Sequence, residues 1–133
     1  LRAKIEDEEW FEENVPKVKG YVYIETNNFD FQREHAENGI PEAQFWMGKA
    51  YQCGYKGAKV DYDEAVKWFQ KAAKQGHIEA QVKLGFMYYL GKEVERNYTE
   101  AVRWFRQAAK SGEIDSDALL LLGFCYDDGT GVE

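Results

Sequence analysis

The chain has 133 residues, a formal net charge of −7 and an apolar fraction of 44%, which is enough material for one domain with its own core. The acidic balance argues against nucleic-acid binding, because such surfaces need clustered lysine and arginine side chains to replace the counterions of the phosphates. The longest apolar run is the short segment DALLLLGF from Asp117. A membrane-spanning helix needs about 18 or more apolar residues, so we expect a soluble chain without membrane insertion.

The ends and the cysteines of the chain say little about its compartment. The sequence begins at Leu1 with acidic residues and shows no signal-peptide pattern. Two locations are therefore both compatible with it: the cytoplasm, and the periplasm or the outside of the cell after processing. Two cysteines, Cys53 and Cys125, are too few for a disulfide framework. We expect both to be buried or half-buried thiols.

Residues 1–41 are expected to form an N-terminal acidic segment followed by a degenerate helical cap. The first acidic run is interrupted by Trp10 and Phe11, which fits either an amphipathic adhesive segment or an ordinary charged helix face. Residues 17–27 alternate in polarity and are rich in β-branched side chains, so an extended segment competes with a helix there.

The stretch FDFQREHAENGIPEA, from Phe29, indicates the helical part of this cap. Its Ala36 and Gly39 have the spacing of an alanine and a glycine in a helix that recurs later in the chain, and Phe31 aligns with the tryptophan of that helix. Asn27, Asn28 and Asp30 are possible capping residues at its start.

A first helix type occurs three times, as EAQFWMGKAYQCG, EAQVKLGFMYYLG and DALLLLGFCYDDG. Its alanine, its leucine or methionine, and its tyrosine are predicted core positions. A glycine in the middle of a helix costs about 1 kcal/mol relative to alanine, so three glycines at one register predict close approach of a neighbouring helix. These glycines are Gly48, Gly85 and Gly123.

A second helix type follows the first in two units, as AVKWFQKAAKQG and AVRWFRQAAKSG. Its apolar residues recur at i, i+3, i+4, i+7 and i+8, which gathers them on one side of an α-helix. Gly76 and Gly112 are predicted to end these helices in the left-handed conformation. Asp61 or Asp63, and Thr99, are predicted to cap their starts.

Each pair of helices forms a hairpin that cannot bury its own apolar stripe, so the sequence predicts an all-α superhelix, or solenoid, of stacked hairpins. The predicted repeats are 42–77, 79–112 and a partial unit at 117–133. The register of the glycine, tyrosine, tryptophan and paired alanines resembles that of the Sel1-like repeat family, a relative of the tetratricopeptide repeat. This resemblance implies a helical scaffold that binds proteins.

No residues for catalysis, a cofactor or a metal are predicted. Neither His35 nor His77 has a metal partner of the H-E-x-x-H type, and no Ser-His-Asp set is visible. His77 is expected to be a polar surface residue. Tyr126, Asp127 and Asp128 are expected to form a solvated helix end.

The predicted binding site is a stripe along the first helix type, offset from its core positions, which we expect to face the concave side of the solenoid. Large aromatics with neighbouring cations are residues that anchor protein contacts. The alternative is that the aromatics pack between hairpins as ordinary core. The predicted partner-binding residues are Trp46, Lys49, Lys83, Phe86, Leu90, Leu121 and Phe124.

The sequence therefore predicts a non-enzymatic interaction module or adaptor for a protein or peptide partner. One alternative is a regulatory or inhibitory protein of the immunity- or effector-associated kind, and another is a hydrolase acting on cell-wall-like amides. The last unit contains only a first-type helix, so either a longer natural chain or a contact is expected to bury Leu119 to Phe124. Self-association through this incomplete repeat is one such contact.

Overall fold

The computed structural model describes residues 29–55, 59–113 and 116–131. Six α-helices and no β-strand occur in these residues. The helices are α1 Phe29–Glu37, α2 Pro41–Cys53, α3 Tyr62–Lys74, α4 Ile78–Leu90, α5 Tyr98–Ala109 and α6 Ser116–Asp128. Each helix packs on the next one along the chain, and the predicted all-α solenoid of helical hairpins is confirmed.

Helices α2 and α3 form the first complete hairpin. Just beyond the end of α3, Gln75 Nε2 donates to Gln44 Oε1 near the start of α2 over 2.7 Å. At the opposite end, the Asp61 N–H donates to the Tyr51 carbonyl oxygen over 2.9 Å. The end of α3 therefore lies beside the start of α2, so the two helices are antiparallel, and an equivalent backbone hydrogen bond closes the hairpin of α4 and α5.

The two repeated phrases of the sequence form α3 and α5, and their apolar stripes are buried between the neighbouring helices. Burial of one large apolar side chain stabilises the fold by about 1.5–3 kcal/mol, so these stripes hold the stack together. The buried residues are Ala65, Trp68, Phe69, Ala72 and Ala73 in α3, and Ala101, Val102, Trp104, Phe105 and Ala108 in α5.

The glycines inside α2 and α4 lie against a phenylalanine of the following helix. A Cβ atom on Gly48 would come within 2.5 Å of the Phe69 ring, and one on Gly85 would collide with the Phe105 ring. The predicted close approach is thus confirmed at these two positions. Gly123 of α6 has no such neighbour within 4 Å, because no further helix follows α6 in the described part of the chain.

The helix ends match the sequence prediction except at one start. Asp61 caps α3, its Oδ1 accepting from a backbone N–H over 3.1 Å, and Gly76 and Gly112 have φ of +90° and +75°. At the start of α5 the capping residue is Asn97, whose Oδ1 accepts an N–H over 3.1 Å. The prediction of Thr99 is wrong, since α5 begins one residue before Thr99 and leaves it inside the first turn.

Two buried glutamines connect successive hairpins, and the sequence did not indicate them. Gln44 Nε2 donates to the Ala36 carbonyl oxygen over 3.1 Å, and Gln81 Nε2 donates to that of Ala73 over 3.0 Å. Both side chains are almost fully buried, where an unpaired amide would cost about 1–3 kcal/mol. In α6 the equivalent position is Leu119.

The cap of the solenoid contains the expected helix, α1. Ala36 is buried and Gly39 has φ of +90°, as in the complete units. Phe31, which aligns with the repeat tryptophan, is half-buried, and Phe29 is the buried aromatic of α1. The predictions for the acidic segment and for the alternating stretch lie outside the described residues.

One prediction about a single residue is wrong, and a second residue has a role that was not predicted. Cys53 is exposed, whereas Cys125 is buried as expected. His77 does not act as a simple surface residue, because its Nδ1 accepts the Ala80 N–H over 3.2 Å and so caps α4. Its ring also stacks on Phe45 with centroids 4.7 Å apart.

Candidate interaction site

Three of the predicted binding residues, Lys83, Phe86 and Leu90, line one open pocket of about 210 Å³ on the surface of α4. They lie at positions i, i+3 and i+7 of the helix and therefore share one side of it. Residues of α2 and of the loop after α4 complete the lining. We call the full set the groove: Gln52, Lys83, Phe86, Met87, Leu90, Lys92 and Glu93.

The loop after α4 contributes to the groove because the helix ends abruptly at Leu90. Gly91 takes a left-handed conformation with φ of +62°, and its N–H donates to the Met87 carbonyl oxygen over 3.1 Å. This conformation is accessible to glycine at little cost. The turn brings Lys92 and Glu93 back to the rim of the pocket.

The groove spans two consecutive hairpins. Gln52 Nε2, in the last turn of α2, donates to Glu93 Oε1 over 2.8 Å, and the bond is partly buried. The two residues are 41 positions apart in the chain, so this contact exists only in the stacked repeats. The groove is therefore a property of the solenoid and not of one hairpin.

The floor of the groove is apolar and partly exposed. Phe86 is half-buried and meets the Phe105 ring edge-on, with centroids 5.3 Å apart, so it both packs within its hairpin and lines the groove. Leu90 has 44% of its surface exposed. An exposed leucine beside an aromatic floor is an available apolar contact for a partner.

The rim of the groove is basic, although the chain as a whole is acidic. Lys83 and Lys92 border it, and the carboxylate of Glu93 accepts the hydrogen bond of the glutamine from α2. Two lysines and one glutamate give the groove a net charge of +1. A positive net charge beside an apolar floor favours a partner segment that is itself apolar and acidic.

The other residues predicted on the first hairpin lie outside the groove. Trp46 is half-buried, and its ring centroid lies 6.2 Å from that of Phe29 and 5.4 Å from that of Tyr55. It is thus part of the core between α1 and α2. Lys49 is exposed, with its Nζ 4.9 Å from the centroid of the Phe45 ring.

The predicted residues on α6 also lie outside the groove. Leu121 is half-buried against the core formed by α5 and α6. Phe124 is 50% exposed and follows Gly123, at the position that corresponds to the exposed Lys49 of α2 and the half-buried Phe86 of α4. The orientation of the whole stripe toward the concave side stays a prediction.

Four groove residues were missed by sequence reasoning: Gln52, Met87, Lys92 and Glu93. Gln52 aligns with Tyr89 and Asp127 in the other units, so the repeat register carries no signal for it. The two loop residues were assigned only to a connection between helices. Their contribution depends on how sharply the chain turns at Gly91, which the sequence indicates only through the glycine itself.

A second recess, of about 480 Å³, lies between the end of α3 and α5. Its side chains include Lys74, Arg103 and Gln107, which are exposed, and Arg103 is paired with Glu100 over 3.3 Å. None of the predicted binding residues lies there.

The described residues place little catalytic chemistry together. No group of three or more histidine, cysteine, aspartate or glutamate side chains in the described ranges could hold a metal ion. Tyr126, Asp127 and Asp128 are exposed at the end of α6, so the predicted solvated helix end is confirmed. No helix in the part of the chain that the structure describes is long and apolar enough to cross a membrane.

Stacked antiparallel hairpins with an apolar, basic-rimmed groove define a helical-repeat scaffold, and sequence comparison identifies the kind of repeat. The profile of the Sel1 repeat matches residues 41–77, 78–113 and 116–133. Together these ranges cover more than half of the chain. The chain belongs to the Sel1 repeat family.

Two curated proteins are similar to parts of this chain. An uncharacterized protein of Neisseria meningitidis serogroup B is 41% identical over 49% of this chain and 20% of its own length. HRD3A of Arabidopsis thaliana, an ERAD-associated E3 ubiquitin-protein ligase component, is 34% identical over 60% of this chain and 12% of its own. The chain thus spans a fifth or less of the length of these curated relatives.

A solved structure shows the same fold. The crystal structure of a Sel1 repeat protein from Oxalobacter formigenes aligns with a TM-score of 0.70 and 38% identity, covering 79% of this chain and 42% of the other. Sel1 repeats are in general protein interaction modules, and their solenoid is typically a scaffold without catalytic activity.

Proposed function

We propose that this protein is a non-enzymatic adaptor that binds a partner protein or peptide through the groove. The observation that carries the proposal is the exposed Leu90 on an aromatic floor between Lys83 and Lys92. Apolar anchors surrounded by charged rims are the parts of an interface that contribute most to affinity and specificity.

The name of one relative supports an assembly role. HRD3A is described as a component of a ubiquitin-protein ligase, so a protein with these repeats functions within a larger assembly. We propose the corresponding role for this chain, with a different partner chosen by the groove residues.

The use of the histidines favours binding over catalysis. His35 Nδ1 lies 2.8 Å from the Phe31 carbonyl oxygen, one turn earlier in α1, and His77 Nδ1 accepts the N–H that caps α4. These are the two histidines of the chain. Each therefore uses a ring nitrogen for local helix structure, which supports a structural role for both rings.

Affinity capture from extract of the source organism tests this function. Three baits are compared: the wild-type chain, the groove variant Lys83→Glu/Lys92→Glu, and the control variant Lys67→Glu/Lys110→Glu. The control makes the same charge change at exposed sites outside the groove. We expect a stoichiometric partner on the wild-type and control baits and a loss of about tenfold or more on the groove variant. Equal capture by all three folded baits, judged by circular dichroism, would contradict the proposal.

A further inference from the structure

The groove matches the chemistry of a segment of its own chain. Residues 6–13, EDEEWFEE, contain six carboxylates and two aromatic side chains, Trp10 and Phe11. These residues lie outside the described part of the chain, and we call them the EDEEWFEE segment. Aromatic side chains between carboxylates are what an apolar floor with a positive net charge favours.

The apolar floor of the groove has a lysine on each side. Lys83 precedes the floor residues in α4, and Lys92 follows them in the next loop. The helix from Lys83 to Leu90 is about 10 Å long. The two positive charges are therefore separated by the length of the floor.

An extended EDEEWFEE segment places negative charges at a similar spacing. In an extended chain, the residues two before and two after a given residue lie on its side. For Trp10 these are Glu8 and Glu12, which lie about 13 Å apart when the chain is extended. Trp10 on the floor therefore brings one carboxylate toward each lysine.

The chain returns to the described structure close to the groove. The ring centroid of Phe29, the first residue of α1, lies 6.0 Å from that of Tyr51, and Tyr51 precedes Gln52 of the groove. Fifteen residues, 14–28, connect the EDEEWFEE segment to Phe29. Such a length spans about 22 Å as a helix and about 50 Å when extended, so the segment can reach the groove in either conformation.

A tethered segment needs little affinity of its own. A short linker holds two parts of one chain at an effective concentration on the order of 1 mM. A contact with a Kd of about 1 mM is then formed about half of the time. One aromatic anchor between two charge pairs has only to meet this modest requirement.

The exposed apolar side chains of α6 are a poorer match for the same segment. Leu119, Leu120 and Phe124 are exposed, but α6 carries three aspartates and no lysine or arginine. Like charges repel, so this surface disfavours a segment with six carboxylates. The positive net charge of the groove makes it the better site.

We propose that, in the free protein, the EDEEWFEE segment docks in the groove as an extended chain, with Trp10 on the floor formed by Phe86 and Leu90. Glu8 and Glu12 then pair with the two lysines of the rim. This inference rests on the groove of the proposed function and adds a competitor to it, since a partner binds only after it displaces the segment. The segment also defines the chemistry of that partner: an apolar side chain between carboxylates.

Fluorescence quenching tests this contact in the whole chain. Cys53 is exposed and follows Gln52 of the groove, whereas Cys125 is buried. Bimane, a thiol-reactive fluorophore that a nearby tryptophan quenches, can therefore be attached at Cys53 alone. Trp10→Phe removes the quencher and keeps an aromatic side chain, while Trp46 gives the same background in every variant. We expect Trp10→Phe to raise the emission about twofold, because the segment is docked about half of the time or more.

Charge reversal identifies the surface that holds the segment. The groove variant and Glu8→Lys/Glu12→Lys should each raise the emission to the level of Trp10→Phe. A chain that combines these two variants should be quenched again, because each ion pair is restored with its charges exchanged. The control variant of the capture experiment should stay quenched, and circular dichroism checks the fold of each chain.

Other results would overturn the proposal. Equal emission from the wild-type chain and Trp10→Phe, or no quenching in the combined chain, would show that the segment does not dock in the groove. Quenching that disappears on dilution would place the segment of a second copy there, and the assignment within one chain would be wrong.

The capture experiment separates this inference from the proposed function. A groove variant that loses its partner, together with unchanged emission in Trp10→Phe, would leave the adaptor function intact and refute the docked segment. Quenching that Trp10→Phe relieves, together with equal capture by all three baits, would support the docked segment and refute the adaptor function.

Discussion

Gly85 and Gly123 occupy the same position of the repeat, but only Gly85 faces a neighbour. We expect Gly85→Ala to lower the free energy of unfolding by about 1–3 kcal/mol, because its methyl group would collide with the Phe105 ring. We expect Gly123→Ala to raise it by about 0.5–1 kcal/mol, since alanine is the better helix former and no atom obstructs it. Urea unfolding measures both. Equal effects of the two variants would show that the Phe105 ring does not restrict the residue at position 85.

The two cysteines should differ in reactivity. Cys53 is exposed, whereas Cys125 is buried, and burial raises the pKa of the Cys125 thiol, with the carboxylate of Asp128 adding to the effect. Because the thiolate is the reactive form, a thiol reagent at pH 8 should label one cysteine rapidly in the native protein. The second should react only in denaturant. Two thiols of equal reactivity in the native protein would contradict this arrangement.

At the level of single residues, the repeat register predicted the buried alanines and the buried leucine or methionine, because equivalent positions are compared within one chain. Its prediction of the tyrosine as a core position is wrong at Tyr126, which is 49% exposed, while Tyr51 and Tyr88 are half-buried. The register did not predict the buried Gln44 and Gln81. A glutamine in an amphipathic pattern is usually predicted to lie on the surface. Gln44 and Gln81 can be buried because each donates a hydrogen bond to a carbonyl group near the end of another helix, that of Ala36 or Ala73.

At the level of the helices, the start of α5 gives a direct test of capping. Asn97→Ala should lower the free energy of unfolding by about 1 kcal/mol, because the Asn97 side chain accepts the N–H of Glu100. Thr99→Ala should change it little, since Thr99 lies inside the first turn and is exposed. Thermal or urea unfolding compares the two, and a larger loss for Thr99→Ala would show that the helix starts later than described.

The helices themselves were predictable from sequence because period and repetition agree. The stripes of α3 and α5 have one helical period, and their glycines recur at the expected ends. The first residue of α5 could not be predicted from sequence, because Asn97 and Thr99 are both good capping residues and lie two positions apart. The choice between them depends on where the preceding loop leaves the chain in an extended conformation, which is at Asn97.

At the level of the whole molecule, stacking decides which surfaces are available to partners. The sequence predicted seven binding residues on one repeated stripe, and the structure brings three of them, Lys83, Phe86 and Leu90, to one groove. Trp46 packs with α1, and Phe124 is half exposed on α6. The repeated stripe alone does not predict which of its residues line the groove, because the groove also contains Gln52 of the previous hairpin and the loop after α4.

The most direct test of the central claim compares two exposed leucines in binding to the partner captured by the wild-type chain. Leu90 lies in the groove and Leu119 on the exposed side of α6, with 44% and 52% of their surfaces exposed, so aspartate at either position should leave the fold intact. Isothermal titration calorimetry gives the Kd of each variant. We predict that Leu90→Asp weakens binding about tenfold or more and Leu119→Asp less than about twofold. Full affinity in Leu90→Asp would contradict the assignment of the groove as the binding site.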